Sequence, residues 1–348
     1  MKKISYILSY TPLLAGLMLP LASCEHKELC FDHDPHAPKS QVRIEAAYEQ
    51  EWQYDYKGLT DWVHYPTWQE SFGMAYDDLR PALPSGLRLR LYNADQSEEV
   101  INMAPEGEVV YMRPGEHSLL FHNNDTEYIV FNDLQSYARA MATTRGVTRS
   151  SYLGNSYVET KSEQTMNQPD MLYGSYMDSY TAERSTSVAV LPVTLHPLVF
   201  RYLVRYEFSH GVKYISLARG ALAGMAQSVQ LNSGQTSAEE ATVLFDCTVE
   251  EYGAQAVVRT FGVPDFPNEH FTTKAGRRYG LNLEVRLKNG KYKSFDFDVT
   301  DQVESQPQGG VIIVRGIEIT DEEGTEGGSG FDVDIDDWGE YEDIELPL

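Results

Sequence analysis

The sequence predicts an all-β chain of two domains, and three observations carry that prediction. Apolar and polar residues alternate with period two, as in Leu87, Leu89 and Leu91 against Arg88 and Arg90, or Phe200, Tyr202, Val204, Tyr206 and Phe208 against Arg201, Arg205 and Glu207. Leu281, Leu283, Val285 and Leu287 alternate likewise, run into Asn289 and Gly290, and return through Tyr292, Phe295, Phe297 and Val299, which reads as a hairpin with a type I′ turn. No strand–helix–strand alternation occurs, which argues against a parallel sheet, and 348 residues are long for one core.

In chain order, residues 1–23 read as an export signal. Lys2 and Lys3 give the positive start, Leu13 to Leu19 the apolar run, and Leu21, Ala22, Ser23 and Cys24 the close. A membrane span is disfavoured because Ser9, Thr11, Pro12, Gly16 and Pro20 interrupt it and no basic cluster follows. The close resembles the lipobox of bacterial lipoproteins, which implies lipidation of Cys24 as the first residue of the mature chain. At roughly 0.8 kcal/mol per buried methylene, acyl chains there hold a large ectodomain on a membrane without a span.

Residues 24–40 read as a tether, polar and broken by Pro35 and Pro38. Its Asp32, His33, Asp34 and His36 lack the fixed geometry of a metal site, and no metal or cofactor is expected anywhere in the chain. The formal charge is −24, and loss of Lys2 and Lys3 with the signal lowers it by two more. Such a chain repels phosphate backbones and anionic headgroups, so nucleic acid is not an expected partner and the anchor is the lipid. Cys30 and Cys247 remain: they either pair in an oxidising envelope, or Cys247 is a buried apolar residue and Cys30 a linker thiol, and the sequence leaves both readings level.

The first domain is placed at 41–184. It opens on a strand with Val42, Ile44 and Ala46 on one face. The segment with Trp52, Tyr54, Tyr56, Trp62, Tyr65, Trp68, Phe72 and Tyr76 would stack on sugars if exposed and cap a sandwich if buried; the cap is preferred, because aromatics in β domains mostly fill cores. Val109 to Met112 forms a further strand. Ser118 to His122 and Tyr128 to Phe131, turned by Asn123, Asn124 and Asp125, read as a hairpin. Leu134, Tyr137, Ala138 and Met141, with Asp133 before them, predict a short helix. Thr143 to Gln168 loses all period and reads as a long excursion, with Arg145 and Arg149 solvated.

The second domain is placed at 185–320, with strands at Phe200 to Phe208, Tyr214 to Leu217, Ser228 to Leu231, Val243 to Phe245, Val257 to Phe261, the hairpin, and Val311 to Ile319. The small residues from Ala218 to Ala226 read as a turn or helical link. In the tail, 321–348, 12 acids stand with no Lys or Arg. Phe331, Val333 and Ile335 alternate there with Asp332, Asp334 and Asp336, which predicts a terminal strand able to pair with its own domain or with a neighbour. A calcium loop fails, since Asp337 stands where glycine is wanted and Asp343 where Glu is wanted.

Catalytic signatures are missing. There is no Gly-x-Ser-x-Gly elbow, phosphate loop, dinucleotide fingerprint, His-Glu-x-x-His or Cys-x-x-Cys, and His117, His196, His210 and His270 stand isolated. Absence of motifs is not absence of activity, and an enzyme is kept as the third expectation, after a structural adhesion protein and a glycan binder.

The lipobox at Cys24, the blocks Leu198 to Phe208, Lys213 to Ala226, Leu281 to Val303 and Gly309 to Ile319, and the acidic end Phe331 to Trp338 together resemble the fimbrillin-like lipoproteins of Bacteroidales. The resemblance spans most of the mature chain. It implies two tandem Greek-key, transthyretin-like sandwiches, palmitate-type lipidation and a surface-exposed place on the cell outer membrane. It also implies a role as structural subunit or anchor of a fimbrium or pilus, in cell adhesion, assembling with other fimbrillin-like subunits by strand addition. A surface glycan-binding lipoprotein is the second expectation, from the aromatic segment.

Overall fold

The computed structural model describes residues 39–157, 163–267 and 277–325 and the backbone of Glu342–Ile344. The signal, Cys24, the tether up to residue 38 with Cys30, and Phe331, Val333 and Ile335 lie outside the described residues. The described strands belong to the compact unit from Ser40 to Leu348. They are β1 (Ser40–Tyr48), β2 (Leu87–Asn93), β3 (Glu98–Met103), β4 (Val109–Met112), β5 (Gly115–Asn123), β6 (Ile129–Asn132), β7 (Met141–Thr144), β8 (Gly146–Thr148), β9 (Gln164–Met166), β10 (Tyr173–Ala182) and β11 (Ala189–Pro197). There follow β12 (Phe200–His210), β13 (Ile215–Ala226), β14 (Ser228–Gln230), β15 (Glu240–Glu250), β16 (Gly253–Thr260), β17 (Gly280–Leu287), β18 (Tyr292–Asp298), β19 (Gly310–Glu318) and β20 (Glu342–Ile344). Short helices are α1 (Trp68–Phe72), α2 (Thr300–Glu304) and α3 (Asp321–Thr325).

The first sheet runs β3-β2-β5-β10-β11-β1-β4. Its halves pair only at Tyr173 with Pro197 and Gly174 with His196; beyond these β10 and β11 part, and the sheet folds into a sandwich. Val42 and Ile44 from one leaf share a core with Leu87, Leu89, Leu91, Leu119 and Phe121 from the other. These are the inward residues of the period-two runs, each stabilising by about 1.5 to 3 kcal/mol when fully buried. The second sheet runs β18-β17-β13-β15-β16-β12-β19. β15 pairs with β13 as far as Cys247 and with β16 from Thr248, which turns the corner of a second sandwich around Tyr202, Val204, Tyr206, Leu283, Val285 and Ile312. Cys247 is a free cysteine packed against this core, and burial pushes its thiol pKa up, so it serves as a small apolar residue.

A third, three-stranded sheet, β14-β7-β6, joins the two. Leu120, Leu172, Leu198 and Val199 pack there with Ala226, Val229, Leu231 and Phe261. The two sandwiches are thus connected through an apolar core rather than through a linker.

The aromatic segment is a cap. Trp52, Trp68 and Phe72 are buried against Leu203 and Val311, on the face of the second sheet that turns away from its core. Trp52 and Trp68 lie 5.9 Å apart between ring centroids, and the Trp62 indole donates to Gln306 at 2.6 Å.

Several local expectations are corrected by partners distant in sequence. β5 does not form a hairpin with β6: both its sides are taken, by β2 and β10, and β6 pairs with β7 instead. The helix at Leu134 to Met141 is two successive turns, entered through Asp133 at a left-handed φ of 51°, and Met141 already belongs to β7. Ala218 to Ala226 is no link but the inner part of β13, held between β15 and β17. Its residues are small because a Cβ at Gly220 would meet Phe245 at 2.3 Å and the Tyr206 hydroxyl at 2.7 Å. The Asn289-Gly290 hairpin forms, yet only Gly290 takes a positive φ (84°), so it is closed by a left-handed glycine after an ordinary turn rather than by type I′. Parallel pairs do occur, β1 with β11, β12 with β19 and β9 with β15, each made across a long connection rather than a helical crossover.

Arg149 is not solvated. The excursion lays residues 147–152 over the outer side of β13 and β15, with Val147 buried against Ala221 and Leu244. Arg149 donates to the Gly220 carbonyl at 3.0 Å and to Asn282 at 3.2 Å, beside the buried Arg219–Glu284 pair.

Candidate assembly edges and the cleft between the sandwiches

A sheet protein that joins neighbours by main-chain pairing needs an edge with free N–H and C=O groups, and edges that stay out of such pairing need covering. β19 is covered. Gln302 and Gln306, on and just after α2, hydrogen-bond both backbone groups of Ile313 and Val311 respectively.

β11 is different. It runs parallel to β1 on one side, and from Ala189 to Leu195 its other side has no strand partner among the described residues. Val188 and Val190 are exposed there, while Leu191 and, on β10, Met177 and Tyr180 are only half-buried against the first core. Pro192, lacking an N–H, fits an edge strand. β10 is blunted by a bulge between Met177 and Tyr180, where Ser118 and Tyr137 donate to the carbonyl and carboxylate of Asp178.

The tail reaches back onto the body through β20, which pairs antiparallel with β8, Glu342 opposite Thr148 and Ile344 opposite Gly146. The strand so placed is 342–344. Phe331, Val333 and Ile335, the residues singled out for strand exchange, lie outside the described residues, as does Cys24.

Where β10 and β11 meet, a cleft of about 680 Å3 opens between the sandwiches. Tyr54, Tyr176, Phe200 and Phe266 line it together with Leu198, Leu231 and Phe261 of the joining core. On its rim His196 Nδ1 lies 2.9 Å from Glu49 Oε2, and the Tyr54 hydroxyl donates to the same oxygen at 2.8 Å. These two bonds, His196's first, hold the Glu49 carboxyl below its usual pKa, whereas burial and the Glu49 carboxylate push the Tyr54 phenol well up. The rim therefore carries an ionised carboxylate with a phenol that remains a donor.

Of the aromatic segment only Tyr54 faces this cleft; His196, isolated in the sequence, gains its role from Glu49 at the far end of β1. No local spacing signals that meeting, because parallel pairing of β1 with β11 creates it. Among the described residues no group of three or more His, Cys, Asp or Glu is placed to hold a metal ion.

Proteins of known sequence and structure are similar to this chain along most of its length. The chain is 21% identical over 311 residues, 82% of its own length and 91% of the relative's, to a candidate fimbrium anchoring subunit, Fim4B, of Bacteroides ovatus. It shares its fold with the crystal structure of a candidate adhesin from Bacteroides ovatus, at a TM-score of 0.55 and 19% identity over 83% of this chain and 97% of that one. The fimbrial anchor protein Mfa2 from Porphyromonas gingivalis aligns at a TM-score of 0.44 and 9% identity, covering 79% of this chain and 90% of that one. A family model, that of the domain of unknown function DUF5119, matches residues 73–246, which is half of the sequence and runs from the end of the aromatic cap into β15. The chain belongs to the DUF5119 family.

Proposed function

We propose that this protein is a structural subunit of a surface fimbrium, or the anchor at its base, held on the outer membrane by lipid on Cys24 and joined to fimbrillin-like neighbours by strand addition. The observation that carries this reading is the alignment with the candidate anchoring subunit, which extends along most of both chains. Three features support it. The signal ends in a lipobox, which fits a protein tied to a membrane by its N-terminus. Two sandwiches fused through an apolar core fit a rigid element that carries load. The open side of β11 offers main-chain groups to an incoming strand. The role is structural rather than catalytic.

Immunogold labelling combined with the Cys24→Ala variant tests it. Wild-type protein is expected on filaments or at their bases, and the variant is expected to lose a fatty-acid label and membrane retention. Label and retention unchanged in the variant would remove the lipid anchor, and antibody found only on bare cell surface would remove the fimbrial role.

A further inference from the structure

We propose that the cleft between the sandwiches binds a neutral saccharide, at the end of β11 beyond the Ala189 to Leu195 stretch whose side is open, and independently of the fimbrial reading. Its volume, about 680 Å3, falls within the range of small-molecule sites. Its walls come from elements fixed by the joining core, so the shape exists before any ligand arrives. Gly174 belongs to that fit, since a Cβ there would meet the Leu198 side chain, which also lines the cleft, at 2.6 Å.

The chemistry of the walls selects the ligand class by elimination. Anions are disfavoured: no Lys or Arg lines the cleft among the described residues, Glu49 is ionised at its rim, and the chain carries −24 overall. A cation is not called for, because the Glu49 carboxylate already accepts from Tyr54 and lies against His196. A wholly apolar ligand would strip water from Glu49, His196 and Gln308 without replacing its hydrogen bonds. A polyol ring with one apolar face meets both demands. Tyr176, 45% exposed, and Tyr54, held edge-on to Phe200 at 5.7 Å, offer aromatic surface. The side-chain amide of Gln308 makes no hydrogen bond among the described residues, its backbone carbonyl alone being engaged, by the N–H of Tyr54. Thr236, by contrast, spends its hydroxyl on Val263 and Phe266 and is part of the frame.

Ligand-observed saturation-transfer NMR on the full chain, with lactose, maltotriose, cellotriose, chitotriose and mannotriose as neutral probes and sialyllactose as the anionic one, tests the proposal. At least one neutral probe is expected to bind with a millimolar or tighter Kd. Tyr176→Ala and Gln308→Ala, both at positions outside the packed cores, are each expected to weaken it about tenfold with the thermal midpoint and fimbrial labelling unchanged. Three results would overturn the idea: no neutral probe bound at about 10 mM, binding undiminished in both variants, or tighter binding of sialyllactose. Wild-type protein that binds a neutral probe yet is never found on filaments or at their bases would overturn the fimbrial reading and leave this one standing.

Discussion

Gln306 bonds Val311 as a neighbouring strand would: its Nε2 donates to the Val311 carbonyl at 3.0 Å and its Oε1 accepts the Val311 N–H at 2.8 Å. Gln302 repeats the exchange with Ile313 one step along the pleat. Two side chains thus occupy the main-chain groups of an edge that would otherwise invite pairing, and Gln306 also receives the Trp62 indole N–H that pins the aromatic cap.

Gln306→Ala should therefore cost about 2 to 4 kcal/mol, since it leaves several buried groups without partners. Gln306→Glu keeps the acceptor but loses the donor and should fall between the two. Urea denaturation measures both; a loss under about 0.5 kcal/mol for Gln306→Ala would mean that water replaces the amide and that the edge is not sealed by it.

Gly220→Ala should destabilise the second sandwich by several kcal/mol, beyond the usual range of about 1 to 3 for overpacking. The added carbon meets the Phe245 ring at 2.3 Å from one side of a central strand whose backbone cannot retreat, because β15 and β17 hold both its edges. Ala223→Gly at a nearby position of β13 serves as a control for ordinary backbone entropy. Equal losses in the two variants would show that packing on Gly220 is loose.

Legibility followed the range of the cause. The hairpin of β17 and β18 and the alternation in β12 were readable because side-chain period and turn chemistry are local. The false hairpin of β5 and β6 looked as good locally, but β5 is an inner strand, and which neighbours take its sides is decided by β2 and β10. Small residues in β13 read as a link because the pressure that makes them small, from Phe245 and Tyr206, is tertiary. Arg149 read as solvated because its partners, Gly220 and Asn282, lie on strands far along the chain. The cleft could not be foreseen at all, since Glu49, His196 and Gln308 meet only once β11 lies along β1 and the sandwiches close on each other.

His122 should make stability fall in mild acid. Burial, reinforced by Arg90 and Arg88, holds its pKa down to about 4, while its Nδ1 faces the Asn123 carbonyl at 2.8 Å. In the unfolded chain the ring takes a proton near the ordinary value of about 6.5, and the folded site refuses it until about 4. Stability is then full above the unfolded value and is lost as pH falls towards the folded one, by about 3 kcal/mol at the lower end. Denaturation of wild type and His122→Phe at several pH values isolates this part from the carboxylates. Parallel curves for the two proteins would show that His122 protonates freely in the fold.

Trypsin should spare the bond after Arg149 in the native protein, although the local sequence offers it. The guanidinium is buried over β13 and is held by the Gly220 carbonyl and Asn282, so cleavage requires the 147–152 segment to lift. Lys substitution at this position keeps the charge but not the two-point hold, and Arg149→Lys should be cut much faster than wild type. Equal native cleavage rates, read by mass spectrometry, would mean that the segment opens regardless of the arginine.

The tail gives the last prediction. β20 is a three-residue strand, and its partner β8 is the first part of the segment that covers β13 and β15. Among the described residues β8 is otherwise paired with β9 at Gly146 and Met166 alone, so β20 supplies most of its regular pairing. Truncation after residue 340 removes that partner and leaves the period-two stretch with Phe331, Val333 and Ile335 in place, which separates the two parts of the tail. A short edge strand stabilises by a few hydrogen bonds, each of about 0.5 to 1.5 kcal/mol net, so the global midpoint should drop only slightly. The local effect should be larger, because β8 then opens without global unfolding. Amide exchange is expected to speed up at Gly146, Val147 and Thr148 and to stay unchanged at β17. Truncation after residue 325, which removes the period-two stretch as well, is expected to add a loss of subunit association if that stretch is the strand a neighbour receives. Exchange at β8 that is identical in the 340 truncation and the full chain would show that β20 does not hold the covering segment. Assembly that is identical in the 325 truncation would leave the acidic tail without a part in strand exchange.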